Sequence, residues 1–151
     1  MKLTTAMLAD GARHGMDGKL YIFGGQWDHV FASALPTTQK VAFALVIQVD
    51  YAEALREHRL DIVLKDADGK DLGPKVAASF RPGHPPLTEE GAQVSVALPV
   101  EPPAIPITQY GRLIWEILLD GKFAGELPMV VRPPQNTLLP FGESAEEQPQ
   151  G

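Results

Sequence analysis

The chain of 151 residues contains no cysteine. That excludes structural disulfides, thiol nucleophiles, iron–sulfur clusters and thiolate zinc sites together. Aromatic residues make up only 7% of the sequence, so few rings are left over once a core is built. Basic residues are outnumbered, 13 against 19 acids, for a net charge of −6. Three of those six excess negative charges are Glu143, Glu146 and Glu147 in the last nine residues, and the acidic body has no basic stripe to neutralise phosphates. Nucleic acid is not expected as a partner. The longest unbroken apolar run, Val41 to Ile47, has seven residues, far below the ~18 that suggest a membrane helix. The opening Met1-Lys2-Leu3-Thr4-Thr5-Ala6-Met7-Leu8-Ala9-Asp10 lacks the long apolar stretch and small-residue cleavage site of a secretion signal. The expected compartment is the cytoplasm.

What is abundant is turn chemistry: 14 glycines and 14 prolines. With 44% apolar content, this describes one folded domain interrupted often by turns, long enough to bury about two-thirds of its unfolded surface. Asp-Gly-Lys occurs three times, at Asp17-Gly18-Lys19, Asp68-Gly69-Lys70 and Asp120-Gly121-Lys122. Asp-Gly tolerates the positive φ angles that two-residue hairpin turns require. The flanking sequences do not align, so shared hairpin chemistry explains the spacing better than a repeat does.

Apolar residues recur with period two at Val41, Phe43, Leu45, Ile47 and Val49, and again at Leu60, Ile62 and Leu64. Val76, Ala78 and Phe80 make a short strand, Val94 to Val100 a longer one, and Leu113, Trp115, Ile117 and Leu119 another. The chain returns through Phe123, Leu127, Met129 and Val131. With an opening hairpin over 2–13 and 19–31, the pattern predicts an antiparallel β-sandwich of about eight strands, Ig-like or C2-like. Asp50 three residues before Glu53 has capping-box spacing and predicts one short helix towards His58. The expected organisation is a single domain over 1–133, an extended exit segment over 134–142 and a disordered acidic tail over 143–151.

The opening Thr5-Ala6-Met7-Leu8-Ala9-Asp10 and Gly18-Lys19-Leu20-Tyr21-Ile22-Phe23-Gly24-Gly25-Gln26-Trp27-Asp28 resembles a bacterial family of small proteins classed as a domain of unknown function. The closing Tyr110-Gly111-Arg112, Trp115 to Gly121 and Leu127-Pro128 are similar to that family's last hairpin. The resemblance covers residues 1 to about 133 and implies a sandwich-like β-domain, with no catalytic residue to carry over.

No residue set converges on chemistry. A two-residue turn at Asp17-Gly18 would set His14 opposite Tyr21, and His29 then lies ~26 Å further along the strand, too far to share a metal or a triad. Ser33, Ser79, Ser95 and Ser144 stand outside any nucleophile elbow, and each Gly-Lys is followed by Leu, Asp or Phe rather than a P-loop Ser or Thr. Gly24-Gly25 within a strand marks a bulge. Asp66, Asp68 and Asp71 could group around calcium but miss the EF-hand spacing, and turn chemistry explains them equally. Neither metal nor cofactor is expected.

Strands 41–49 and 112–119 are apolar on both faces, and Leu138, Leu139 and Phe141 lie beyond the last strand. Either the chain covers these faces itself or a partner does. The expected function is a non-enzymatic accessory or interaction module, a homo-oligomer or partner-binding protein, with Ala44, Val46, Ile114, Leu118, Leu138, Leu139 and Phe141 as contact residues. The alternative is a carbohydrate- or small-ligand-binding sandwich using Tyr21, Trp27, Tyr51 or Tyr110.

Overall fold

A computed structural model describes residues 1–134. Regular structure among the described residues is β apart from one 3-10 turn. Eleven strands run in the order β1 (Lys2–His14), β2 (Leu20–Gly25), β3 (His29–Phe31), β4 (Thr37–Gln39), β5 (Ala42–Val49), β6 (His58–Asp66), β7 (Asp71–Phe80), β8 (Val94–Val100), β9 (Ile105–Ile107), β10 (Gly111–Leu119) and β11 (Lys122–Arg132). One sheet has the order β2-β1-β5-β8 and is antiparallel throughout. The facing sheet has the order β3-β11-β10-β6-β7, antiparallel except where the short β3 runs parallel to β11. β4 and β9 form a separate two-stranded ribbon.

The expected sandwich is present, with more strands than the eight read from the pattern. β4 and β9 are only three residues each, too short for alternation to register. The second strand stops at Gly25 and resumes as β3. The expected helix is a single 3-10 turn, Tyr51–Glu53, without a side-chain cap. Asp50 instead accepts a hydrogen bond from Gln93 Nε2 (3.0 Å), and Leu55, at φ +63, ends the segment after one turn.

The period-two residues form the core. Phe43, Leu45 and Ile47 of β5 face Leu60, Ile62 and Leu64 of β6 and Leu113, Trp115 and Ile117 of β10, all buried. The Phe43 and Trp115 rings meet edge to face at 5.1 Å and 82°, the arrangement their quadrupoles favour.

The turns divide into two kinds. Asp120 (φ +49) and Gly121 form the two-residue turn expected, with Leu119 opposite Lys122. The first turn is longer. The Gly15 N–H donates to the Lys19 carbonyl around a three-residue loop, Met16-Asp17-Gly18, whose last residue takes the left-handed conformation. His14 therefore pairs with Leu20 and Arg13 with Tyr21. The expected His14–Tyr21 register is off by one, and a one-residue slip sends every side chain to the other face.

Candidate interaction surface

β1 is long enough to serve two neighbours. Residues 2–9 pair with β5, and residues 9–14 pair with β2. Beyond Ala9 the β1–β2 hairpin folds back over the outer face of β5 and β8. The Ala12 N–H donates to Glu101 Oε1 (2.8 Å), and His14 Nε2 donates to the Ala97 carbonyl (2.7 Å). Beneath it, Ala9, Ala12, Ala42 and Ala44 make a second, small apolar cluster edged by Met7 and Leu20. Methyl groups are the only apolar side chains short enough to let two backbone layers approach so closely. Gly24 (φ +54) lies on the exposed part of the hairpin, where a Cβ would run into the Asp10 carboxylate.

This cover accounts for the outer face of β5 at Ala42 and Ala44. Ala44 has no exposed surface, so the expectation that it contacts a partner is corrected: the hairpin lies on it. Val46 is half-buried beside it. On the opposite sheet, Ile114 and Leu118 are half-buried in a charged layer. Arg59 and Lys75 pair with Asp61 at 2.9 and 3.5 Å, and Lys65 with Glu116 at 2.9 Å. The long stems of these side chains cover the apolar groups while their heads stay wet, and Arg59 beside Asp61 holds its carboxyl below the usual range. Leu138, Leu139 and Phe141 lie outside the described residues.

The outer side of the hairpin remains open. Tyr21 and Phe23 are 44% and 57% exposed, Ile22 is 37% exposed, and Met16 at the loop is fully exposed. Tyr21 is anchored by its hydroxyl, which donates to Asp17 Oδ2 (2.5 Å); this contact raises the phenol's pKa and lowers that of Asp17. Among the described residues β2 is also an edge strand, paired only with β1. The other edges of the two large sheets are guarded: β8 carries Pro99, β7 carries Pro74, and β3 has three residues. Proline and brevity both block strand addition. β2 has neither. Its signal in the sequence is the run Leu20-Tyr21-Ile22-Phe23 without proline, which reads as an ordinary half-buried strand until its neighbours are known.

The other expected groups do not assemble. Tyr110 spends its hydroxyl on the Ala32 carbonyl (2.8 Å), Tyr51 lies against His84 (4.1 Å), and Trp27 is half-buried; with Tyr21 on the hairpin, the four rings occupy separate places. Asp66 Oδ1 accepts from the Asp68 and Lys70 amides of its own loop, and Asp71 from Gly73. Among the described residues no three His, Asp or Glu side chains gather as metal ligands.

Sequence reasoning passed over one polar cluster, around His58. This ring is 6% exposed. Its Nδ1 donates to Asp120 Oδ2 (2.7 Å) and its Nε2 to the Glu53 carbonyl (2.6 Å). Burial disfavours the charged ring, but the two acceptors outweigh it, and the net shift is upward. Asp120 is pushed up by burial and pulled down further by the Arg59 amide and His58. The cluster joins the 3-10 turn to the β10–β11 turn. Beside it opens a cleft of about 390 Å³ lined by Leu3, Lys2, Glu53, Lys122 and Phe123, whose charges are mixed and point to no one ligand.

Comparison with known proteins matches residues 4–132 to a family described as "Family of unknown function (DUF6941)". The chain belongs to DUF6941. No curated protein matches it. A solved structure, Pseudomonas fluorescens alkylpurine DNA glycosylase AlkC bound to DNA containing an abasic site analog, is similar over 87% of this chain and 30% of that one, at 13% identity and a TM-score of 0.44. The DUF6941 match spans both large sheets and the hairpin. No helix among the described residues is long and apolar enough to cross a membrane.

Proposed function

We propose that the protein is a non-enzymatic interaction module of the bacterial cytoplasm, acting through the exposed face and free edge of its β1–β2 hairpin. The observation that carries this reading is β2 itself: among the described residues, the one edge strand of the two sheets that is longer than three residues and free of proline, with Tyr21, Ile22 and Phe23 exposed on it. An unprotected apolar edge is an aggregation liability, and a chain that guards its other edges with proline or brevity retains such a strand where something pairs with it. Homo-oligomer and protein partner both meet that requirement. A photo-crosslinking phenylalanine analogue at position 23, introduced in the living cell, tests it. Discrete protein adducts at 23 are expected, with none at the control position Lys70 in an exposed turn. Equal yields at the two positions would remove the support for this surface.

A further inference from the structure

We infer that Asp68 is a site of spontaneous covalent modification: the Asp68-Gly69 linkage rearranges through a succinimide to isoaspartate, while the fold holds the other Asp-Gly pairs of the chain against the same reaction.

Asp-Gly is the dipeptide most open to this chemistry, because glycine has no side chain to obstruct the approach of its own nitrogen to the preceding carboxyl. The Gly69 nitrogen bonds to Cγ of Asp68 and gives up its proton. The hydroxyl of the carboxyl group takes that proton and leaves as water. Water then adds to either carbonyl of the five-membered ring. Opening at the main-chain carbonyl restores the original mass, routes the backbone through Cβ and Cγ, and leaves a free α-carboxylate. No oxidant or other co-reactant is consumed.

The chain contains four Asp-Gly pairs, and two of them sit in turns of the same build. In the first, the Gly15 N–H donates to the Lys19 carbonyl and the Gly18 N–H to the Gly15 carbonyl. In the β6–β7 turn, the Asp66 N–H donates to the Lys70 carbonyl and the Gly69 N–H to the Asp66 carbonyl. Gly18 and Gly69 share the left-handed conformation, at φ +76 and +85, and both Asp-Gly-Lys runs are exposed. The two turns differ in the fate of the carboxylate. Asp17 Oδ1 accepts the Lys19 N–H (3.0 Å) and Oδ2 accepts the Tyr21 hydroxyl, so both oxygens are held. In the β6–β7 turn, Asp66 Oδ1 takes the Lys70 and Asp68 amides instead, each at 2.9 Å. The Asp68 carboxylate is left without a hydrogen-bond partner among the described residues, free to turn Cγ onto the Gly69 nitrogen.

The remaining two pairs are restrained. Asp120 is clamped at both oxygens, Oδ2 by the His58 ring (2.7 Å) and Oδ1 by the Arg59 N–H (2.8 Å). Asp10-Gly11 lies inside β1, where Gly11 is buried and pairs with Phe23. Hydrogen bonds to a carboxylate also favour its charged form, which is the poorer electrophile. At Asp17 the Tyr21 hydroxyl, and then the Lys19 amide, hold the carboxyl below its usual pKa. Giving up two such bonds before ring closure slows the reaction by about tenfold or more. The product at 68 is an exposed isoaspartyl carboxylate, the chemical class that S-adenosylmethionine-dependent isoaspartyl methyltransferases esterify.

The purified full chain, aged in warm neutral buffer, is digested and its peptides are mapped for isoaspartate. Methyl transfer from labelled S-adenosylmethionine by an isoaspartyl methyltransferase gives a second readout. Isoaspartate is expected at 68 at about tenfold or more the rate at 10, 17 or 120. Ageing in denaturant should bring the four rates together, since all four are Asp-Gly once the fold is gone. Tyr21→Phe, which releases one Asp17 oxygen, should raise the rate at 17 by about threefold or more and leave 68 unchanged. Asp68→Glu, which would have to close a larger ring, should remove most of the methyl acceptance of the aged native chain. Equal rates at 17 and 68 in the folded chain, or a preference for 68 that persists in denaturant, would overturn the inference.

Discussion

Replacing His58 perturbs the polar cluster at the base of the sandwich, and the geometry sets the size of the effect. Both ring nitrogens face oxygen acceptors, so only the doubly protonated ring satisfies both. A hydrogen bond from a charged group contributes about 1.5–3 kcal/mol, and the Glu53 carbonyl bond belongs in that range. The Asp120 side chain is 42% exposed and rehydrates when the ring is gone, so its pairing is worth only about 0–1 kcal/mol. His58→Ala, which also removes the ring packed on Phe80, is expected to cost about 3 kcal/mol. The pH dependence has a definite sign. A histidine whose folded pKa is raised contributes stability that is fully present below its unfolded value of 6.5 and is lost as pH rises through the folded value. Thermal unfolding of the wild type should therefore lose about 3 °C relative to His58→Gln between pH 6 and pH 9, for about 1 kcal/mol in a domain of this size. Curves for wild type and His58→Gln that stay parallel across that range would refute the assignment of a charged ring.

Three further outcomes follow from the packing. Ala44→Leu forces a larger side chain between hairpin and sheet and should cost about 1–3 kcal/mol in urea unfolding, which an exposed Ala44 would not. Glu101→Ala should abolish the slow hydrogen exchange of the Ala12 amide while leaving amides of β6 and β10 protected, because only the hairpin loses its tether. In the core, Trp115→Ala should cost about 3–5 kcal/mol. Trp115→Phe should cost much less, since the indole N–H is buried with no hydrogen-bond partner among the described residues and its removal relieves about 1–3 kcal/mol of desolvation.

The core was legible because period-two runs such as Phe43-Leu45-Ile47 and Leu113-Trp115-Ile117 can only point one set of side chains inward. Ala42 and Ala44 carried the opposite message ambiguously. A small apolar residue on an outer face reads the same whether a partner or the chain itself lies over it, and the layer that covers it comes from residues more than 20 positions earlier. The hairpin register was missed for a local reason: Asp-Gly closes a two-residue turn or the last part of a three-residue loop, and Gly15 beside it settles the choice through a backbone bond that composition does not show. The edge strand could not be read as an edge. Tyr21, Ile22 and Phe23 have strand character wherever they sit, and only sheet order reveals that β2 has one neighbour among the described residues.

The layer of alanines beneath the hairpin has a dynamic consequence. Each buried methyl supplies only about 0.8 kcal/mol, and the polar attachment is the Glu101 and His14 bonds and the Arg13–Glu101 pair at 3.7 Å. The outer half of the hairpin is therefore held less strongly than the sheets, and it should open as a unit at a fraction of the free energy needed to unfold them. The exposed strand β2 is carried on that arm, with a carboxylate as its clasp. Acidification loosens that clasp, because the Glu101 carboxyl is held below its usual pKa by the Ala12 amide and Arg13 nearby; its contribution is lost as pH falls through that lowered value. Release of the arm and melting of the β-sandwich core are thus separable events.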